Sequence, residues 1–303
     1  MEIKEILRNG AIPPIGFGPL SVGYSRGGRK LGGLPLLAYK VVNKLYLHRA
    51  ADRDYVNLIE HAFKVGYRLL DYSCAYGDGK LAGEAIRRSG VKREAFFITT
   101  RITNKAQREH RVREEFFEFI KNMGVDYVDL LQFHWPVPDY FLETWREMEK
   151  LKDEGYVKYI GTANCHQHHL EEIFKICRYR PEIGQFEIHP LFTQKPLIKY
   201  YKKQGIVVEA YTPLARFDDR LVRLPVLKRM GVKYNKNVAQ IILRWHVQNG
   251  VIPLVRCMSK EHQISNFNIF DFNIDEEDMK AIDAININSR LRYDPDNCDF
   301  SIL

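Results

Sequence analysis

The sequence predicts a closed (β/α)8 barrel. Short β-rich runs alternate with longer amphipathic segments, the pattern of strand–helix units arranged around a parallel sheet, and the count of such units is eight. Residues able to do acid–base chemistry stand at the carboxyl ends of separate strands, the end at which barrel enzymes carry their active sites. The 303 residues exceed an ordinary single core but suit an α/β barrel, and no Ser/Gly/Pro-rich linker or composition break divides them. Residues 1–303 therefore read as a single domain.

Taken in order, residues 2–14, with Asn9-Gly10 as a hairpin-type turn, predict a short N-terminal β-hairpin ahead of the barrel. The strands are expected at Ile15–Leu20, Arg68–Ser73, Phe96–Arg101, Tyr127–His134, Lys158–Asn164, Ile183–Ile188, Val207–Thr212 and Val251–Val255. Helical segments between them include Asp54–Val65, Arg111–Met123, Phe141–Glu154, Gln167–Cys177, Pro196–Gln204, Val238–Asn249 and Asp275–Ile285. Trp145, Met148 and Leu151 show the helical spacing directly. One connection is out of proportion. Residues 22–51 separate the first strand from its helix where a few residues are usual. This insertion is basic, glycine-rich early and apolar later, and its position after a strand's carboxyl end makes it a lid over the barrel mouth. A surface helix and a lipid-binding anchor are the alternatives.

An apolar content of 45% and a charged content of 28% are those of a globular protein. The formal charge of +8 suits an acidic partner, a phosphate-bearing cofactor included. Nucleic acid is not expected, because the Lys and Arg are spread along the chain and no binding motif of that class occurs. Five cysteines without a C-x-x-C pair favour a reducing, cytoplasmic setting. No apolar run reaches membrane-spanning length, so a membrane partner is not expected. The oligomeric state stays open.

The chemistry begins at L-L-D-Y-S-C-A-Y-G, residues 69–77, which sets Asp71 and Tyr76 five positions apart where a strand gives way to a loop. F-F-I-T-T-R ends on Arg101, and V-D-L-L-Q-F-H-W-P carries His134. A carboxylate, a phenol, a cation and an imidazole are the parts needed to protonate a carbonyl oxygen while a hydride reaches its carbon. A phenol with an ordinary pKa near ~10 becomes a better acid beside a cation, which a carboxylate holds in place.

At these phrases, and at I-P-P-I-G-F-G, G-T-A-N, Q-F-E-I-H-P, V-E-A-Y-T-P-L and N-F-N-I-F-D-F, the chain resembles the aldo-keto reductases over nearly its whole length. The resemblance implies a TIM barrel that binds a nicotinamide cofactor across the strand carboxyl ends without a Rossmann fingerprint. It makes Tyr76 the general acid, assisted by Asp71 and the residue at 101, with His134 orienting a small-molecule carbonyl substrate. The family's cation is lysine, whereas this chain has Arg101, whose planar fork prefers bidentate pairing with carboxylate. Arg101 can bind Asp71 well and still sit badly for Tyr76. Three readings follow: a working NADPH-dependent reductase of aldehydes or ketones, a redox-neutral lyase or epimerase, and a non-catalytic nucleotide-binding barrel. The first is preferred.

The resemblance also assigns cofactor positions. Ala163, Asn164 and Gln185 stand where the family holds the nicotinamide carboxamide, and an Asn with a Gln can satisfy both its donor and its acceptor. Tyr211 matches the aromatic under the nicotinamide ring, with Thr212 and Leu214 near the pyrophosphate. Arg256 and Cys257 occupy the family's Lys-Ser pair, His262 its 2′-phosphate arginine, and Asn266 lies near adenine. Arg256 and the nearby Lys260 favour NADPH, with NADH as the alternative. No metal is expected: His166, His168 and His169 read as a surface cluster without a matching carboxylate, and Lys105 as a solvated loop residue. Cys74 and Cys165 read as buried, inert thiols, His189 as a structural hydrogen-bonding group, and Trp135, Tyr72, Tyr293 and Phe300 as candidate pocket walls.

Overall fold

In a computed structural model, residues 12–18, 48–73 and 79–300 are described, the side chains of 48–51 excepted. Eight parallel strands close into a barrel in sequence order, β1 pairing with both β2 and β8. They are β1 (Gly16–Phe17), β2 (Leu69–Asp71), β3 (Phe97–Ile102), β4 (Val128–Phe133), β5 (Val157–Ala163), β6 (Ile183–Glu187), β7 (Val207–Tyr211) and β8 (Val251–Val255). β3 and β4 are buried along their whole length, as expected of parallel strands covered by helices outside and side chains inside.

The helices are α1 (His48–Val65), α2 (Lys80–Ser89), α3 (Asn104–Arg108), α4 (Val112–Met123), α5 (Phe141–Asp153), α6 (Gln167–Ile176), α7 (Lys195–Lys203), α8 (Asp219–Val222), α9 (Pro225–Tyr234), α10 (Val238–Gln248), α11 (Lys260–Phe267) and α12 (Glu276–Asp283). α1 starts at His48, so the end of the 22–51 insertion is helical rather than loop. The rest of that insertion and the N-terminal hairpin lie outside the described residues. Among the described residues no helix is long and apolar enough to cross a membrane.

The barrel interior is layered. Leu69, Phe97, Leu130, Ile183, Val207 and Ile252 pack into an apolar plug at the amino ends of the strands, with Ile12 against them. Side chains alternate along a strand, so the next inward positions lie two residues on. There the filling turns polar: Asp71 on β2, Thr99 on β3, Gln132 on β4, Gln185 on β6 and Glu209 on β7, with Arg101 one inward position further along β3, all buried. Register sets the neighbours, with Arg101 opposite Gln132 and Gln185 opposite Glu209. The large core lies outside the sheet, between strands and helices.

Gly83 on α2 shows how closely that outer layer packs. A Cβ there would stand 1.9 Å from the carbonyl oxygen of Met123, at the end of α4, so only glycine lets the two helices approach this far.

Candidate active site

Strand ends place the site. Asp71 closes β2, Arg101 is the penultimate residue of β3, and His134 follows β4 with its backbone N–H donating to the Ile102 carbonyl at 2.9 Å. The two nitrogens of the Arg101 fork donate to the two oxygens of Asp71 at 2.5 and 3.1 Å. One of them also donates to Gln185 Oε1 at 3.1 Å and lies 3.5 Å from Gln132 Oε1. Arg101 is 1% exposed, so protein acceptors, these among them, stand in for water. This is the bidentate geometry expected of arginine, and a single ammonium cannot reproduce it. Tyr76 lies outside the described residues.

Beneath Arg101 the amide of Gln185 passes the contact on. With Oε1 accepting from the fork, Nε2 donates to Glu209 Oε2 at 3.0 Å and lies 3.4 Å from Asp71 Oδ1. Burial, reinforced by the charge of Asp71, pushes the Glu209 carboxyl up to about 7. Sequence reading missed Gln132 and Glu209, although the signal was present. Each is a polar residue inside a buried strand with apolar residues directly before and after it.

Burial pushes His134 in the opposite direction, aided by the charge of Arg101, so its imidazole is held down to about 3. The ring is therefore neutral across the physiological range and available as a hydrogen-bond donor or acceptor.

A cavity of about 450 Å³ opens over this layer, and Asp71, His134, Trp135, Asn164, Gln185 and Tyr211 stand in its wall. Asn164 is held in the left-handed region at φ 60°, with its Nδ2 donating to the His134 carbonyl at 2.9 Å and its Oδ1 accepting from the Tyr211 hydroxyl at 2.6 Å. Thr212, Ala215, Arg216 and Phe217 also have positive φ, from 47° to 57°. That concentration of costly backbone at a cavity rim is a signature of a ligand-binding loop. Thr212 and Leu214 line the same rim, as do Arg216, Phe217 and Arg256.

The remaining cofactor positions separate. Arg256 enters the cavity wall, whereas Cys257 turns into the core with its Sγ donating to the Ser259 carbonyl at 3.2 Å. Burial pushes that thiol up. His262 is exposed in the first turn of α11, and Asn266 is buried on the same helix. Of the candidate walls, Trp135 lines the cavity. Tyr72 packs against Phe119, and Tyr293 is exposed on the tail. Phe300 accepts a hydrogen bond from Arg108 at its carbonyl.

Two further histidine readings are resolved. His189 is buried with Nε2 at 3.0 Å from Glu187 Oε1, a structural contact. His166, His168 and His169 do meet a carboxylate, which sequence reading did not foresee. Asp296 comes from the tail to stand 2.6 Å from His166 Nδ1 and 3.2 Å from His168 Nε2. His169 Nδ1 accepts from the His166 backbone N–H at 3.1 Å. That bond places the proton of neutral His169 on Nε2, facing Asp296, and the carboxylates of the tail bring His168 and His169 together with Asp296, and His166 with Asp294 and Asp296, into groups close enough to share an ion.

The family model described as Aldo/keto reductase family matches residues 42–287. The chain belongs to the aldo-keto reductases. It is 41% identical to an uncharacterized oxidoreductase of Bacillus subtilis (strain 168) over 82% of this chain and 89% of that protein. To the glyoxal reductase of the same organism it is 39% identical, over 80% and 87%. Among solved structures it is similar to MGS-M4, an aldo-keto reductase enzyme from a Medee basin deep-sea metagenome library, with a TM-score of 0.83 and 31% identity over 95% and 96% of the two chains. A Bombyx mori aldo-keto reductase in complex with NADP gives a TM-score of 0.77 and 28% identity over 94% and 92%. This aldo-keto reductase is accordingly an oxidoreductase built on a (β/α)8 barrel.

Proposed function

We propose that this aldo-keto reductase reduces an aldehyde or ketone to an alcohol with NADPH, Tyr76 donating the proton. The observation that carries the reading is the buried Asp71–Arg101 pair at the floor of a cavity that also presents neutral His134. The cavity suits a nicotinamide dinucleotide. It offers the Tyr211 ring with its hydroxyl tied to Asn164, and, at the rim after β7 and β8, the guanidinium groups of Arg216 and Arg256 for phosphate. When bound, the reduced nicotinamide supplies the hydride. The chain's own residues do the rest. The Arg101 charge favours the phenolate of Tyr76 and so makes its phenol a better acid, while Asp71 and Gln185 hold the guanidinium in place. His134 hydrogen-bonds the carbonyl oxygen without giving up a proton of its own, and Trp135 walls the substrate side.

The relatives named for glyoxal and methylglyoxal reduction support a small carbonyl substrate. The test is loss of reduced-nicotinamide absorbance with purified protein, NADPH and a panel of aldehydes and ketones, compared with NADH. Turnover that falls by orders of magnitude in Tyr76→Phe supports the reading. Cofactor binding without oxidation favours a binding barrel, and substrate conversion at constant absorbance a redox-neutral enzyme.

A further inference from the structure

The wall of the proposed reductase cavity holds a cation that neither the acid–base machinery nor the cofactor contacts use. Arg292, on the tail after α12, stands in the cavity wall together with His134 and Trp135. Its place is set by the main chain. Glu187, 1% exposed at the end of β6, accepts the backbone N–H of Leu291 at 2.7 Å and that of Arg292 at 3.0 Å. Buried His189 backs the same carboxylate. The peptide that carries Arg292 is thus pegged to a barrel strand, which delivers its side chain over the cavity.

Among the described residues no carboxylate pairs with the Arg292 guanidinium, although Arg290 beside it reaches Asp294 and Arg220 reaches Asp218. Among the described residues of the cavity wall the one acidic side chain, Asp71, is already neutralised by Arg101. Among the described residues the Arg292 charge is therefore left without a compensating carboxylate, and it reaches His134, the residue that meets the carbonyl oxygen in the proposed reaction. A cation near the carbonyl-binding imidazole matches a substrate with its own anion.

We propose that the substrate is a carbonyl compound bearing a carboxylate a few bonds from the carbonyl, and that Arg292 binds that carboxylate. The proposal rests on the reductase reading. In the reaction the hydride of the reduced nicotinamide bonds to the carbonyl carbon, the C=O π pair moves to oxygen, and the oxygen takes the phenolic proton. The carboxylate remains ionised throughout, held by the guanidinium fork.

The experiment pairs succinic semialdehyde with its uncharged amide and measures kcat and KM for both with the wild type, Arg292→Met and Arg292→Lys. The wild type prefers the acid. In Arg292→Met the acid-to-amide ratio of kcat/KM falls by roughly ten- to thirty-fold, the worth of one charge-assisted hydrogen bond at a solvent-open site, and mainly through KM. Arg292→Lys recovers part of the loss, since it keeps the charge but not the fork. Added salt raises the wild-type KM for the acid and not for the amide. An unchanged ratio in Arg292→Met, with both substrates turned over, overturns the proposal and leaves the reductase reading intact. Absence of turnover with either substrate counts against the reductase reading instead. Calorimetric titration with the corresponding hydroxy acid then decides for Arg292, and equal affinity in wild type and Arg292→Met overturns the assignment.

Discussion

Replacing Glu209 by Gln tests the polar layer under the active site through a quantity that contact geometry alone does not alter. The carboxyl is fully buried, accepts one hydrogen bond from Gln185 and faces two charges, Asp71 across the barrel and Arg101 above it. Its pKa stands at about 7 against an ordinary 4.5. A carboxyl raised in the folded state keeps its proton there while the unfolded chain has lost it. Stability is therefore greatest below about 4.5, falls as pH rises between the two values, and levels off above about 7. The interval of 7 minus 4.5 corresponds to about 3 kcal/mol at 1.36 kcal/mol per unit. For 303 residues the entropy of unfolding near the melting point is about 0.6 kcal/mol per degree, so the change in Tm is about 5 °C. Glu209→Gln keeps an acceptor for Gln185 and removes the titration. Urea unfolding of both proteins at pH steps from 5 to 8.5 should show the wild type losing up to about 3 kcal/mol that the variant retains. The comparison is one of slopes, because the new amide NH2 stands where Glu209 Oε1 has no partner and adds a constant offset. Parallel stability profiles would refute the reasoning, since they would mean that the carboxylate is solvated or already ionised in the folded protein.

Further predictions concern the same layer and the packing around it. Arg101→Lys should lower both stability, by about 1–3 kcal/mol, and turnover, because the donors of one compact ammonium radiate from a single nitrogen and do not match the two-nitrogen fork that spans Asp71 and reaches Gln185. A gain in rate would show that the site was not built around arginine. His134, held down to about 3, should contribute no inflection to the pH profile of kcat/KM between pH 5 and 9, and its imidazole signals by NMR should stay those of a neutral ring down to pH 5. Because the unfolded chain takes up that proton near its ordinary value of 6.5 and the folded one does not, the linked stability falls as pH drops below about 6.5. Gly83→Ala should cost about 1–3 kcal/mol by thermal or urea unfolding, as α2 and α4 move apart to clear the Met123 carbonyl.

The alternation of short apolar runs with amphipathic segments was enough to reveal all eight strands, with ends displaced by a few residues. Strands buried on both faces are chemically conspicuous. α2 was harder to see, since K-L-A-G-E-A-I-R-R-S is short and has a glycine at its centre, and its reason for being helical is the contact Gly83 allows with α4. α9 and α11 were missed as well: α9, P-V-L-K-R-M-G-V-K-Y, also carries a glycine, and the residues of α11 were read only as cofactor contacts. Asp71, Arg101 and His134 were legible because polar residues at strand ends are few. Arg292 and Asp296 were not, because only the folded tail brings them beside His134 and the histidines of α6.

The grip of Glu187 on the tail is made entirely with peptide N–H groups, which every residue except proline possesses. The seat is thus indifferent to what the tail carries. Leu291 packs against the core, but the side chain at 292 is open to exchange while the backbone keeps its course, so evolution or a designer has a plug-in position from which to retarget the enzyme without touching the barrel.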